Sequence, residues 1–155
     1  MRELYTETDI FDIIPDKAAI CVTTNGVVKR NGKAVMEAGI AKYVNENWHV
    51  DKQLGNLIKI YGNVPMNLGF INYKTKNLRL ISFPTKNNYK DQSDINLIRR
   101  SANLLLNLCS CLDIDNCYIP CPGCGCGGLD YQTQVKSVLN DLLDDRFIII
   151  IKDGD

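Results

Sequence analysis

The stretch YIPCPGCGCGGLDY (118–131) holds three cysteines and four glycines within fourteen residues. Cys121, Cys124 and Cys126 form C-x2-C-x-C, with Cys109, Cys111 and Cys117 just upstream. Thiolates at short spacing could ligate zinc or an iron–sulfur cluster, but such sites draw four ligands from paired knuckles. Here Cys109 and Cys111 fall at the end of an amphipathic helix, Cys117 falls in a strand, and the single histidine, His49, is remote. No metal and no cofactor is expected. An odd count of seven cysteines without a secretory signal points to free thiols in a reducing compartment, so a functional disulfide is not expected either. The glycines offer a different chemistry. Gly123, Gly125, Gly127 and Gly128 follow a strand and precede a helix. Residues without Cβ let backbone N–H groups approach an anion, and a helix start adds partial positive charge. A phosphate cradle and a plain tight turn both fit that composition.

Four further residues could do chemistry or serve structure alone. Asp130 immediately precedes the last helix and by type is an N-cap. Lys86, followed by NNYKD, reads as a solvated loop lysine. Asn25 opens an Asn-Gly turn, and Asp9 stands where a turn aspartate would. Lys29, Arg30 and Lys33 form a small basic cluster that could touch a phosphate or simply face solvent.

The elements that must position these residues follow from periodicity. Residues 5–11 read as an opening strand and turn, and KAAICVTT (17–24) as a buried strand ending in the turn signals Asn25-Gly26 and Asn31-Gly32. A short amphipathic helix spans 39–47. LIKIYG (57–62), FINYKT (70–75) and LRLISF (78–83) read as strands, the last two joined by a turn around Lys76-Asn77 and the third stopped by Pro84. A long helix follows, capped by Ser93, with Ile95, Ile98, Ala102, Leu105, Leu106 and Cys109 on one face. NCYIP (116–120) is a strand, Val135, Val138, Leu139 and Leu142 mark a last helix, and RFIIII (146–151) is the closing strand. Such alternation predicts an α/β fold with helices on both faces of a mixed, largely parallel sheet. The loops at 25–39 and 120–130 each run from a strand to a helix, so they share the carboxyl rim where such sheets bind ligands.

Composition sets the outer bounds. The 155 residues suffice for one compact domain, expected to span 1–155. A hydrophobic fraction of 45%, a charged fraction of 23% and zero net charge describe a globular chain without a general pull toward nucleic acid or membrane. No apolar run approaches the roughly 20 residues that span a bilayer, and a cytoplasmic location is expected.

GCGCGGLDY (123–131) closely resembles the second binding loop of macro domains. The resemblance is to the branch containing the DNA ADP-ribosyl glycohydrolase antitoxins and the terminal ADP-ribose protein glycohydrolases. Four other stretches match in order. YTETDIF (5–11) is similar to the family's opening, VTTNG (22–26) to the strand end that presents an asparagine, MEAGIA (36–41) to the first phosphate loop, and FPTK (83–86) to the strand end carrying a lysine. The resemblance spans nearly the whole chain. It implies a three-layer α/β/α sandwich that binds ADP-ribose and removes mono-ADP-ribose from a modified target, a DNA base or an acidic protein side chain. It assigns Asp9, with Ile10, to the adenine and Asn25 to the distal ribose. Met36, Ala38, Gly39 and Ile40 fall to the diphosphate, with Gly123, Cys124, Gly125, Cys126, Gly127, Gly128 and Leu129 opposite. Lys86 and Asp130 become the catalytic pair, and the loop cysteines are then merely small residues between glycines.

The expected partner is an ADP-ribosylated substrate, single-stranded DNA or protein, with any ADP-ribosyltransferase on a separate chain. The alternative is a non-catalytic module that binds or sequesters ADP-ribose or a cyclic relative. Two positions depart from the pattern. Thr8 stands for a usual glycine, and Glu37 replaces the first loop glycine, placing bulk and negative charge beside an anion.

Overall fold

The computed structural model describes residues 1–152; residues 153–155 of the expected single domain lie outside it. Strand β1 (Arg2–Thr6), helix α1 (Ile10–Ile13), β2 (Ala19–Thr24), α2 (Gly39–Trp48), α3 (Asp51–Tyr61), β3 (Met66–Tyr73), β4 (Lys76–Pro84), α4 (Ile95–Cys111) and β5 (Cys117–Pro120) follow in order. A π-helix (Tyr131–Val135), α5 (Lys136–Leu142) and β6 (Phe147–Lys152) complete the chain. The six strands form one sheet in the order β1-β6-β5-β2-β4-β3. All neighbours are parallel except β3, which returns antiparallel to β4 through the Lys74-Thr75 turn.

Strand alternation divides the core between the two faces of this sheet. Ile20, Val22, Leu78 and Leu80 point to the layer of α1, α2 and α3, where Phe11, Val44 and Leu54 meet them. Cys21, Ile81, Phe83, Ile119 and Ile149 point the other way, to Ile98 and Leu105 of α4 and Val135 and Leu139 of the last helices. The result is the three-layer sandwich expected. Because β2, β4, β5 and β6 run parallel, Thr24, Pro84, Pro120 and Lys152 end at one rim. Ser101 Oγ donates to the Pro84 carbonyl at 2.8 Å and fastens α4 to that rim.

Several element boundaries differ from those expected. Residues 57–62 are not a strand but the end of α3. Leu54, Leu57 and Ile58 recur at helical spacing and face the core, while Ile60 and Tyr61 are exposed; the β-branched and aromatic types mimic a strand. The first strand starts earlier, at Arg2, where it gains β6 as a parallel partner. The hairpin turn falls at Lys74-Thr75, with Lys74 at φ 52°, rather than at Lys76-Asn77, which already pair with β3. Asp94, not Ser93, caps α4, its Oδ1 accepting from the Asn96 and Leu97 amides at 2.8 and 3.4 Å. No helix among the described residues is long and apolar enough to cross a membrane.

Candidate ligand cleft at the carboxyl rim

A cleft of about 690 Å³ opens along this rim, within the range typical of small-molecule sites. Of the residues assigned to a site from the sequence, Asp9, Ile10, Asn25, Ala38, Gly39, Ile40, Lys86, Gly123, Gly125, Cys126 and Gly127 line it. Met36 instead turns into the core, and Cys124, Gly128, Leu129 and Asp130 stand outside the lining.

The first wall is loop 25–39 and the start of α2. Asn25 holds it from two sides: its Nδ2 donates to the Val35 carbonyl and its Oδ1 accepts from the Val27 amide, both at 3.0 Å. Ala38 begins α2 without a side-chain cap, and the residues of the first turn line the cleft. Uncapped amides at a helix start suit an anionic ligand. Glu37 does reach the cleft, but its carboxylate lies 3.5 Å from the Lys29 ammonium. That pair answers the acidic departure: Lys29, one member of the basic cluster, offsets the charge that Glu37 introduces.

The second wall is loop 121–129, and it is built from backbone in tight contact. Gly123 adopts φ 81°, a conformation that side chains disfavour. A Cβ on Gly127 would stand 2.2 Å from Ser93 Oγ and 2.4 Å from the Gly123 carbonyl. The Ser93 amide donates to the Gly127 carbonyl at 2.9 Å, and the Leu129 amide to the Gly123 carbonyl at 2.8 Å. Cys121 and Cys124 are joined by a disulfide, which corrects the expectation of free thiols throughout. The three-residue spacing allows the pairing because the loop folds back at Gly123. Cys21, Cys109 and Cys117 are buried free thiols, and Cys111 and Cys126 are exposed ones. The Cys117 sulfur and burial push the Cys109 thiol far up, and Cys117 is likewise raised. Among the described residues no group of three or more His, Cys, Asp and Glu is placed to hold a metal ion.

Lys86 bridges the walls. It leaves the end of β4, and its ammonium donates to the Cys126 carbonyl of the second loop at 3.3 Å. Asp130 does what its type alone suggested: its Oδ1 caps the π-helix by accepting from the Thr133 amide at 3.0 Å. Asp9 also acts as a cap, accepting from Phe11 N–H at 2.9 Å at the head of α1, but it remains in the lining.

Sequence reasoning missed part of the lining. Tyr43 stacks edgewise near Trp48 and beside Phe11; burial raises its phenol, and the Asp9 and Asp12 carboxylates add to the effect. Ser93, expected to cap a helix, is buried at the cleft floor. Its hydroxyl and Asn63 Oδ1 are the two buried side-chain polar atoms without a partner among the described residues. Tyr131, outside the lining, is buried and donates to Glu3 Oε2 at 2.7 Å.

This sheet order, with a glycine-walled cleft at the carboxyl rim, defines the macrodomain fold. Three solved structures share it. Over 99% of this chain and 42% of the other, it is similar to Thermosipho africanus DarTG in complex with ADP-ribose, with TM-score 0.74 and 20% identity. The chain therefore spans less than half the length of that protein. The macrodomain of Mycobacterium tuberculosis DarG matches with TM-score 0.69 and 23% identity over 96% of both chains. The macrodomain of Thermus aquaticus DarG matches with TM-score 0.67 and 18% identity over the same shares. At such identities the likeness is one of fold. No protein-family model matches the sequence, and no curated protein matches it.

Proposed function

We propose that the cleft binds the ADP-ribosyl group and hydrolyses the bond joining its distal ribose to a modified target. One observation carries this reading. Half-buried Lys86 lines the cleft and its ammonium reaches the Cys126 carbonyl of the glycine loop, placing an amine beside the cradle that would hold the diphosphate. A structure of the same fold, the Thermosipho africanus protein, is a complex with ADP-ribose, which supports the ligand class.

In this scheme Asp9 and Ile10 take the adenine end. The backbone of Ala38 to Ile40 and of Gly123 to Gly127 takes the diphosphate, and Asn25 borders the distal ribose. The unprotonated Lys86 nitrogen bonds to the anomeric carbon, and the target leaves with the former bonding pair and a proton. Water then displaces the lysine nitrogen from that carbon, and Asp130 takes a proton from the water and passes it to the departing nitrogen, returning the amine and free ADP-ribose. The target is a DNA base or an acidic protein side chain. Either needs only a small footprint, which suits a chain of zero net charge.

A second reading, binding without turnover, is favoured by one observation: Asp130 is engaged as a helix cap outside the lining. Turnover of ADP-ribosylated single-stranded DNA and of protein ADP-ribosylated on glutamate separates the two. We expect release from one substrate, reduced about a hundredfold or more in Lys86→Ala. Asp130→Asn keeps a capping oxygen but removes the base, and is expected to slow the same step. Binding of free ADP-ribose with release from neither substrate would establish the second reading.

A further inference from the structure

Asn63, in the link between α3 and β3, belongs to none of the motifs discussed above. Its Nδ2 donates to the Lys86 carbonyl at 2.9 Å and to Asn87 Oδ1 at 3.2 Å. From the other side, the Gly26 amide donates to the Asn87 carbonyl at 3.1 Å, and the Thr85 amide to the Thr24 carbonyl at 3.0 Å. Residues 85–87 are thus stitched to the end of β2 and to the α3–β3 link at once. Two acceptors fix which way the Asn63 amide faces, and its Oδ1 is left buried without a donor. An orphaned buried oxygen is unfavourable and calls for a reason. Gly26 supplies a second, independent sign that this contact is built. A Cβ there would stand 2.9 Å from both Asn63 Cγ and Nδ2, and 3.1 Å from the Asn87 carbonyl.

We infer that Asn63 is a positioning residue for Lys86. By holding the Lys86 carbonyl while the Gly26 amide holds that of Asn87, it fixes where the side chain leaves the backbone and so where the ammonium meets the second loop. The inference rests on the functional reading above for its effect on turnover, but not for its effect on Lys86 itself. Asn63 is not itself in the cleft lining and reaches it through the Lys86 backbone, so ligand affinity should survive its loss while the aim of Lys86 does not.

Asn63→Ala, which removes the donor to the Lys86 carbonyl, and Gly26→Ala, which keeps its amide but sets a Cβ 2.9 Å from the Asn63 side chain, test this in the full chain. Lys86 is labelled with an amine-reactive acyl reagent and quantified by peptide mass spectrometry against exposed Lys42. The Lys86-to-Lys42 labelling ratio should rise about threefold or more, while kcat on whichever of ADP-ribosylated single-stranded DNA or glutamate-ADP-ribosylated protein is turned over falls about tenfold and KM and the Kd for free ADP-ribose stay within about twofold. An unchanged labelling ratio in both folded variants overturns the inference, whatever turnover does. Loss of affinity, kcat and thermal stability together also overturns it, since that marks a structural role alone. If the native chain releases ADP-ribose from neither substrate, the hydrolase reading fails and the labelling ratio decides the clamp.

Discussion

The loop at 25–39 is tied by side-chain bonds as well as backbone ones, whereas the loop at 121–129, apart from the Cys121–Cys124 bond, is held by backbone packed on backbone. In the first, Asn25 ties both ends, Val28 and Ala34 bridge across the base, and Lys29 pairs with Glu37. In the second, Gly123 and Gly127 press against each other and against Ser93 with no room for a methyl group. The difference predicts where each wall tolerates change. A wall made of side-chain bonds can absorb an unusual residue such as Glu37 by pairing it. Where backbone is packed this closely, at Gly123 and Gly127, not even alanine can be absorbed.

The largest effect should come from Gly127→Ala. Its Cβ has nowhere to go, so overpacking is expected to cost about 1–3 kcal/mol, and displacement of the loop to weaken ADP-ribose binding about a hundredfold. Gly125→Ala, two residues earlier and open to space, should change melting temperature little, with less than about 0.5 kcal/mol lost. Equal effects of the two on calorimetric affinity and melting would sink the claim that close packing builds this wall. Asn25→Ala comes next. Removing both of its bonds should destabilise the chain by about 2 kcal/mol and reduce affinity about tenfold, read by the same methods.

The far end of the second loop carries a titrating anchor. Glu3 on β1 accepts from the Tyr131 hydroxyl at 2.7 Å and lies 3.0 Å from the Lys136 ammonium. Burial pushes its carboxyl up, but the bonds from Tyr131 and Lys136 outweigh that and leave it below the ordinary value near 4.5. Folding therefore favours the charged form. The stabilisation is complete above about pH 4.5 and fades as pH falls through the lower folded value. Glu3→Gln should lower stability by about 1 kcal/mol at pH 7, with the difference vanishing in strong acid, as followed by denaturant melts across pH. A difference that persists in strong acid would contradict it. The smallest effect belongs to the first wall: Glu37→Gly should tighten ADP-ribose about fivefold at low salt and less at high salt, since Lys29 already offsets the charge.

Much of this comparison is legible in the amino-acid sequence. β2 and β6 announce themselves by apolar runs of the kind that strands buried on both faces carry, and β4 and β5 by shorter stretches of β-forming residues. Those runs place the shared rim, and with it Asn25, Lys86 and the glycine loop. Asp130 as a cap is also readable from its type. What is not readable depends on distant partners. The end of α3 reads as a strand because its core-facing residues, Leu54, Leu57 and Ile58, straddle the boundary of the window that looks strand-like. Ser93 is drawn from its expected cap into the cleft floor by Gly127, more than thirty residues on. Asn63 meets Lys86 only after β3 and β4 have paired. The Cys121–Cys124 bond depends on the fold-back at Gly123, which composition suggests but does not specify.

The most direct test of the cleft as one ADP-ribosyl site is titration of free ADP-ribose into the isotopically labelled chain, followed by backbone amide resonances. Amides of both walls, Ala38 to Ile40 and Gly123 to Gly127, should shift together along one saturable curve, with those of pocket-remote Ile60 and Phe70 unmoved. Shifts confined to one wall, or none at millimolar ligand, would contradict it.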